Sequence, residues 1–98
     1  MTIPVHRNTD ARTCGATTVV SGQSTVYANG LLIAVNGDPN SHGDGNLIAG
    51  CNNVYIGGKL VVNHSPDGAS ADSLCPPLGG DHCGPNTAQG SPNVFIGD

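Results

Sequence analysis

Residues 42–58 read HGDGNLIAGCNNVYIGG, and the spacing inside this stretch occurs three times in the chain. A side chain of a metal-binding type comes first, a glycine follows eight residues later, and a valine with an aromatic neighbour follows four residues after the glycine. The leading side chains are Cys14, His42 and His82. Equivalent residues of a structural repeat occupy equivalent points of the fold. The pattern therefore predicts that these three side chains meet on a pseudo-threefold axis.

The length and composition indicate one small domain in which burial of apolar side chains contributes little stability. The chain has 98 residues with 15 Gly, 7 Pro, three aromatic residues and no Trp. Aromatic side chains contribute the largest buried areas, so the expected core is thin. We expect a single domain over residues 1–98, divided into units at about 3–30, 31–58 and 59–98, with a bound metal as an added source of stability.

The charge pattern argues against nucleic acid as a partner. The formal charge is −4, all seven acidic residues are Asp, and only three residues are basic. Such a surface cannot neutralise several phosphates. The sequence also contains no apolar run of 18 residues and no apolar signal core at its start, which predicts a chain made and folded in the cytosol.

The apolar runs are short, β-branched and bounded by turn residues, which predicts an all-β fold with little helix. Asn29-Gly30 and Gly57-Gly58 each separate two such runs, and two-residue links of this type favour tight hairpins. Each unit is predicted to be a hairpin with a ligand loop at its far end. The third unit stops after its first strand, so pairing between the first and last strands is the expected closure.

Zinc in a structural site takes four ligands, commonly Cys and His, in a tetrahedron. The fourth ligand must lie outside the repeat, and an insertion at residues 68–81 supplies Cys75, our first choice. Cys83 is the second choice, because adjacent residues such as His82 and Cys83 tend to point apart, and His64 is the third. In the reducing cytosol we expect thiols or metal ligands rather than disulfides. Iron remains open on ligand type alone, although a redox-silent ion suits a structural role better.

Other interpretations of the same residues are weaker. Residues 38–45 begin like a calcium loop, but His42 stands at the fifth position and Ala49 replaces the glutamate at the twelfth. Asp81-His82-Cys83 contains an acid, a base and a nucleophile, but three consecutive side chains cannot converge on one substrate, so we expect no enzyme activity. Cys51 is expected to be a half-buried thiol, and His6 to be structural or exposed.

Several stretches resemble the PAAR-repeat family, named for a Pro-Ala-Ala-Arg tetrapeptide that this chain lacks. Residues 90–96, GSPNVFI, are similar to the recurring Gly-Ser-Pro-x-Val-Phe-Val/Ile of that family. Residues 10–15 and 42–45 look like its ligand loops, and residues 32–38 hold an Ala, the Gly and the Asp of its Val-Gly-Asp segment. The resemblance covers nearly the whole chain. The family set is three His and one Cys, whereas the repeat positions here offer one Cys and two His.

The resemblance implies a small conical fold of three pseudo-threefold β-hairpin units with a structural zinc near the vertex. It also implies a function: a non-enzymatic, membrane-piercing tip whose flat base caps a trimeric β-helical spike in a contractile injection machine. One monomer would sit on one trimer and contact the outer membrane of the target cell transiently. The expected location is a phage virion, at the tail baseplate, after assembly in the bacterial cytoplasm. The alternative location is secretion with a type VI spike.

A function of another class stays open. The same residues fit a free-standing, zinc-stabilised β module that binds a surface ligand or carries an effector. Such a module predicts a side pocket or an aromatic platform, and the three aromatic residues of the chain, Tyr27, Tyr55 and Phe95, support it poorly.

Overall fold

The computed structural model describes residues 2–50, 54–64 and 67–97, and it is strand-rich. Its strands form three antiparallel pairs. The strands are β1 (Thr2–Pro4), β2 (Tyr27–Ala28), β3 (Leu31–Leu32), β4 (Tyr55–Ile56), β5 (Lys59–Leu60) and β6 (Phe95–Gly97). A four-residue helix α1 (Cys75–Leu78) and a 3-10 turn (Gly80–Cys83) lie between β5 and β6. None of the described helices is long and apolar enough to cross a membrane.

The two predicted hairpins are confirmed, and their turn residues explain them. β2 pairs with β3 and β4 pairs with β5, each across a two-residue link. Asn29 and Gly30 have φ of 56° and 78°, and Gly57 and Gly58 have φ of 59° and 81°. Two successive positive φ angles define the type I′ turn, whose twist matches that of paired strands and which only Asn, Asp and Gly adopt readily.

The ends of the chain supply the third pair. β1 pairs with β6, so that Ile3 lies opposite Ile96 and Pro4 opposite Phe95. This pairing confirms the predicted closure between the first and last strands. Each of the three sheets therefore contains one strand with an aromatic residue and one strand that leads on toward a ligand loop.

Beyond each hairpin the chain leaves its partner strand and joins a ring around the axis. The N–H of His6 donates to the carbonyl of Val62 at 3.1 Å, that of Val62 to Ala34 at 3.0 Å, and that of Ala34 to His6 at 2.9 Å. These three bonds close a triangle with one member from each unit. The strands are short because the backbone here stops pairing with the adjacent strand and instead hydrogen-bonds to the other two units.

An aspartate in each unit ends this segment and folds the chain back. The carboxylates of Asp10, Asp38 and Asp67 accept the backbone N–H three or four residues upstream, at 2.9, 2.8 and 3.1 Å. Asp38 also accepts from Gly22 at 2.8 Å, and Asp67 from Gly50 at 2.8 Å. The aspartate of one unit thus holds the backbone of the preceding unit.

The repeated glycine is required by close approach between units. A Cβ on Gly22 would lie 2.5 Å from a methyl of Val35, and one on Gly50 would lie 2.5 Å from a carboxylate oxygen of Asp67. A Cβ on Gly90 would lie 2.8 Å from the Cβ of Pro4. Real Cβ atoms do not approach neighbours this closely, so only glycine fits.

The apolar core consists of two small layers. The layer next to the hairpins is built on the buried residues Val5, Ala28, Ile33 and Val61. The next layer along the units contains Ala34, Leu47 and Val62. Beyond it the buried side chains are mostly polar, which agrees with the thin core expected from composition.

Candidate metal site

Four side chains with metal-binding atoms converge at the ligand loops. Cys14, His42, Asp72 and His82 each offer one ligand atom, and these atoms all lie within 4.8 Å of one another. The four residues are therefore close enough to hold one metal ion. The three repeat positions predicted to meet, Cys14, His42 and His82, are brought together.

The separations suit a tetrahedral ion. Nδ1 of His42 lies 3.2 Å from Oδ2 of Asp72 and 3.9 Å from Sγ of Cys14, and Nδ1 of His82 lies 3.3 Å from the same Oδ2. Two ligand atoms bound tetrahedrally to zinc at ordinary bond lengths are about 3.3–3.6 Å apart. The imidazole rings do not stack, since their centroids are 5.1 Å apart and their planes are tilted by 40°.

The third unit contributes two of the four residues because of its insertion. The backbone N–H of Asp72 donates to the carbonyl of His82 at 2.8 Å, which places the two residues side by side. The N–H of Ser73 donates to the carbonyl of Gly43 at 3.0 Å, and the hydroxyl of Ser73 donates to the carbonyl of His42. The start of the insertion is thus held directly against the ligand loop of the second unit.

The structure corrects the choice of fourth residue. Cys75 and Cys83, the first two candidates, form a disulfide with each other, so neither sulfur is a free thiolate ligand. Our expectation of thiols at these positions was wrong. The third candidate, His64, contacts the hydroxyl of Thr87 through Nδ1 at 2.8 Å and lies outside the group of four. The insertion does supply the fourth residue, but that residue is Asp72.

Asp72 is the most buried member of the group. Its side chain is fully buried, whereas those of His42 and His82 are 25% and 17% exposed. Burial by itself would raise its pKa. Hydrogen bonds from the Leu74 N–H, Asn40, His82 and His42 outweigh burial and hold the pKa of the carboxyl well below its usual range. Asp72 is therefore an anion, the form that binds a metal.

Asn40 contacts three of the four residues of the group. Its amide nitrogen donates to Oδ2 of Asp72 at 3.1 Å and lies 3.8 Å from Sγ of Cys14. Its carbonyl oxygen accepts the backbone N–H of His42 at 3.0 Å. Buried outer partners of this kind fix ligand orientation in metal sites. Burial, with a contribution from Asp72, raises the pKa of the Cys14 thiol, so a metal binding here would displace a proton from sulfur.

Arg12 lies buried near the ligand group and touches all three units. Its guanidinium donates to the Thr18 hydroxyl at 2.6 Å and to the carbonyls of Gly45, Pro85 and Asp38 at 2.8, 2.9 and 3.2 Å. Burial lowers its pKa to about 10, against the opposing attraction of Cys14, Asp38 and Asp72. The group is therefore still a cation at neutral pH.

Sequence reasoning missed Asp72, Asn40 and Arg12. Asp72 lies in the insertion already singled out, and a carboxylate could have been weighed there beside the cysteines. Nothing in the pattern marks Arg12 as buried, because arginine is ordinarily exposed. His6 is buried and structural, with ring nitrogens 2.7 Å from the Gln89 carbonyl and 2.6 Å from the Thr18 hydroxyl. The prediction for Cys51 falls outside the described residues.

Comparison with protein-family models, with curated proteins and with solved structures gave no match.

Proposed function

We propose that this protein is the metal-stiffened tip of a spike in a contractile injection machine, with a structural zinc held by Cys14, His42, Asp72 and His82. The observation that carries the proposal is that each repeat unit contributes one Cys or His to the group and that the ligand atoms of these three residues and of Asp72 all lie within 4.8 Å of one another. The role in an injection machine is inferred from the resemblance of the sequence to the PAAR family, whereas the metal site is inferred from the geometry of the four side chains.

The donor set fits zinc. A thiolate, two imidazoles and a carboxylate are all ordinary zinc ligands, and together they balance the ion's double positive charge. A structural zinc contributes on the order of 10–16 kcal/mol to the folding of small domains. Here that contribution would fall on loops with little apolar burial, the part of the molecule that would otherwise open first under load.

The hairpins favour a partner with threefold symmetry. The side chains of Tyr27, Tyr55 and Phe95 are 59%, 61% and 47% exposed and occupy equivalent strand positions. Each lies opposite an aliphatic residue on the paired strand, namely Leu32, Leu60 or Pro4. Three equivalent aromatic patches on one chain suit a trimer in which each subunit meets one patch. In this proposal the hairpin end binds the spike and the metal end leads.

Metal analysis tests the first half of this proposal. Protein purified without added chelator should carry close to one zinc per chain by inductively coupled plasma mass spectrometry. The His42→Ala/His82→Ala double variant should carry almost none. A zinc content that is negligible in the natural chain, or unchanged in the double variant, rules out the site.

Binding to purified trimeric β-helical spike proteins tests the second half. We expect one tip chain per three spike chains by light scattering after size exclusion. The Tyr27→Ser/Tyr55→Ser/Phe95→Ser variant should lose the complex. The matched control is Val19→Ser/Ile48→Ser, which removes side chains that are 43% and 57% exposed outside the hairpins and should leave the complex intact. A different stoichiometry, or equal loss in both variants, contradicts the assignment.

A further inference from the structure

The two candidate ligands from the third unit flank the two ends of a disulfide, His82 just inside the loop that it closes and Asp72 just before it. Asp72 precedes Cys75 by three residues and His82 directly precedes Cys83, and the two cysteines are bonded with a Cα–Cα distance of 4.6 Å. The bond therefore fixes the separation of the two chain segments that carry the two ligands.

Among the described side chains of this loop, few are buried. None of the residues of the 3-10 turn is buried, and the side chain of Leu78 is 64% exposed. Gly79 and Gly80 have φ of 68° and 63°, so the loop tip uses backbone conformations that glycine adopts freely in the unfolded state as well. The remaining closure comes from a backbone hydrogen bond, the Asp72 N–H to the His82 carbonyl at 2.8 Å.

The disulfide joins an exposed residue to a half-buried one. Cys83 is exposed and Cys75 is half-buried, although the neighbouring Asp72 is buried. An exposed disulfide that spans a short, weakly packed loop is the type that exchanges with solution thiols.

We propose that the Cys75–Cys83 disulfide is a redox lock on the metal site, so that its reduction speeds loss of the ion. This inference rests on the metal site proposed above. In the exchange, a thiolate of a dithiol reductant attacks the Cys83 sulfur and the Cys75 thiolate leaves. The second thiol then resolves the mixed disulfide. The protein gains two electrons and two protons, and the reductant becomes a disulfide.

The direction follows from the ordering of the loop. In the oxidised chain the loop is constrained before the ion binds, whereas in the reduced chain the ion must also order residues 73–81. We expect reduction to accelerate zinc release on the order of tenfold or more. In a reducing compartment the disulfide would be reduced and zinc would leave quickly, whereas in an oxidising compartment the disulfide would form and zinc would be retained.

Thermodynamic linkage makes the coupling reciprocal. If zinc associates equally fast with both redox forms, tenfold faster release means tenfold weaker binding, and bound zinc must then make the disulfide tenfold harder to reduce. For this two-electron couple a tenfold change equals about 30 mV. The midpoint potential of the cysteine pair should therefore be more negative by that amount in zinc-loaded protein than in metal-free protein.

The experiment measures zinc transfer to a chromogenic chelator from the full chain, before and after treatment with a phosphine reductant, which does not compete for zinc as a dithiol does. The Cys75→Ser/Cys83→Ser variant should release zinc at the fast rate under both conditions. Circular dichroism before mixing establishes that reduced and variant proteins remain folded. The midpoint potential, measured with and without zinc, gives the independent second readout.

The outcomes separate the lock from the site. Equal release rates and equal potentials in the two redox states overturn the lock and leave the metal site standing. Slower release after reduction also overturns it, because it would mean that the freed thiols bind the ion themselves. If the oxidised chain binds no zinc at all, both the site and the lock are wrong.

Discussion

Replacing Arg12 by methionine is expected to destabilise the whole fold, because this side chain connects the three repeat units at one buried point. It is 2% exposed and donates to the Thr18 hydroxyl and to the carbonyls of Gly45, Pro85 and Asp38. Methionine matches its length but donates nothing. The substitution leaves the Gly45 and Pro85 carbonyls without this donor, whereas the Asp38 carbonyl still accepts the Leu47 N–H and the Thr18 hydroxyl still contacts His6.

The magnitude follows from two opposing effects. Each buried acceptor left unpaired costs roughly 1–3 kcal/mol. Removal of a buried cation returns part of its desolvation free energy, which is several kcal/mol. With two acceptors left unpaired, we expect a net loss of about 2–4 kcal/mol in the free energy of unfolding, a large part of the total for a domain of this size. Arg12→Lys should lose less, because an ammonium keeps the charge and three donors but cannot span all four acceptors.

Guanidinium denaturation of zinc-loaded protein, followed by circular dichroism, measures this loss. The control is Lys59→Met, which removes an exposed cation and should change stability by less than about 0.5 kcal/mol. A destabilisation of Arg12→Met below about 1 kcal/mol, with an unchanged denaturant dependence, would refute the view of Arg12 as the connector of the three units.

Three further predictions concern other positions. Gly22→Ala should lower the free energy of unfolding by about 1–3 kcal/mol, because the added Cβ overpacks against Val35. The control is Gly84→Ala, whose added Cβ would meet no atom within 4 Å and which should be nearly neutral in the same denaturation assay. Burial lowers the pKa of His6 from 6.5 to about 4; the Gln89 carbonyl and Asp10 oppose this shift, and Arg12 and His64 add to it. The contribution of neutral His6 to stability is therefore full above pH 6.5 and is lost as the pH falls toward 4. Relative to His6→Gln, the free energy of unfolding should fall by about 1.4 kcal/mol per pH unit across that window, and parallel pH curves for the two proteins would contradict this. Asn40→Ala should weaken zinc binding about 10–100-fold by chelator competition, and unchanged affinity would show that Asn40 does not orient the ligands.

The sequence predicts the part of this fold that repeats. The turn pairs Asn29-Gly30 and Gly57-Gly58 determine local backbone shape, so both hairpins follow from adjacent residues. The equal spacing from each ligand to its glycine reflects one backbone path used three times, so the meeting of the three repeat ligands also follows.

The part that does not repeat could not be predicted from spacing. Asp72 reaches the site because the insertion folds back to pair with His82, and no other unit offers a template for that path. The choice of Cys75 relied on ligand preference alone, whereas the backbone brings Cys75 to Cys83. The burial of Arg12 depends on the Thr18 hydroxyl of the first unit and on carbonyls of the second and third units, and none of these contacts is visible in a one-dimensional pattern.

The most direct test of the central claim is X-ray absorption at the zinc edge of the loaded, oxidised protein. We expect one sulfur near 2.3 Å and three nitrogen or oxygen ligands at about 2.0–2.1 Å, with the carboxylate contribution lost in Asp72→Ala. Two or more sulfur ligands, or a first shell unchanged by Asp72→Ala, would contradict a site built from Cys14, His42, Asp72 and His82.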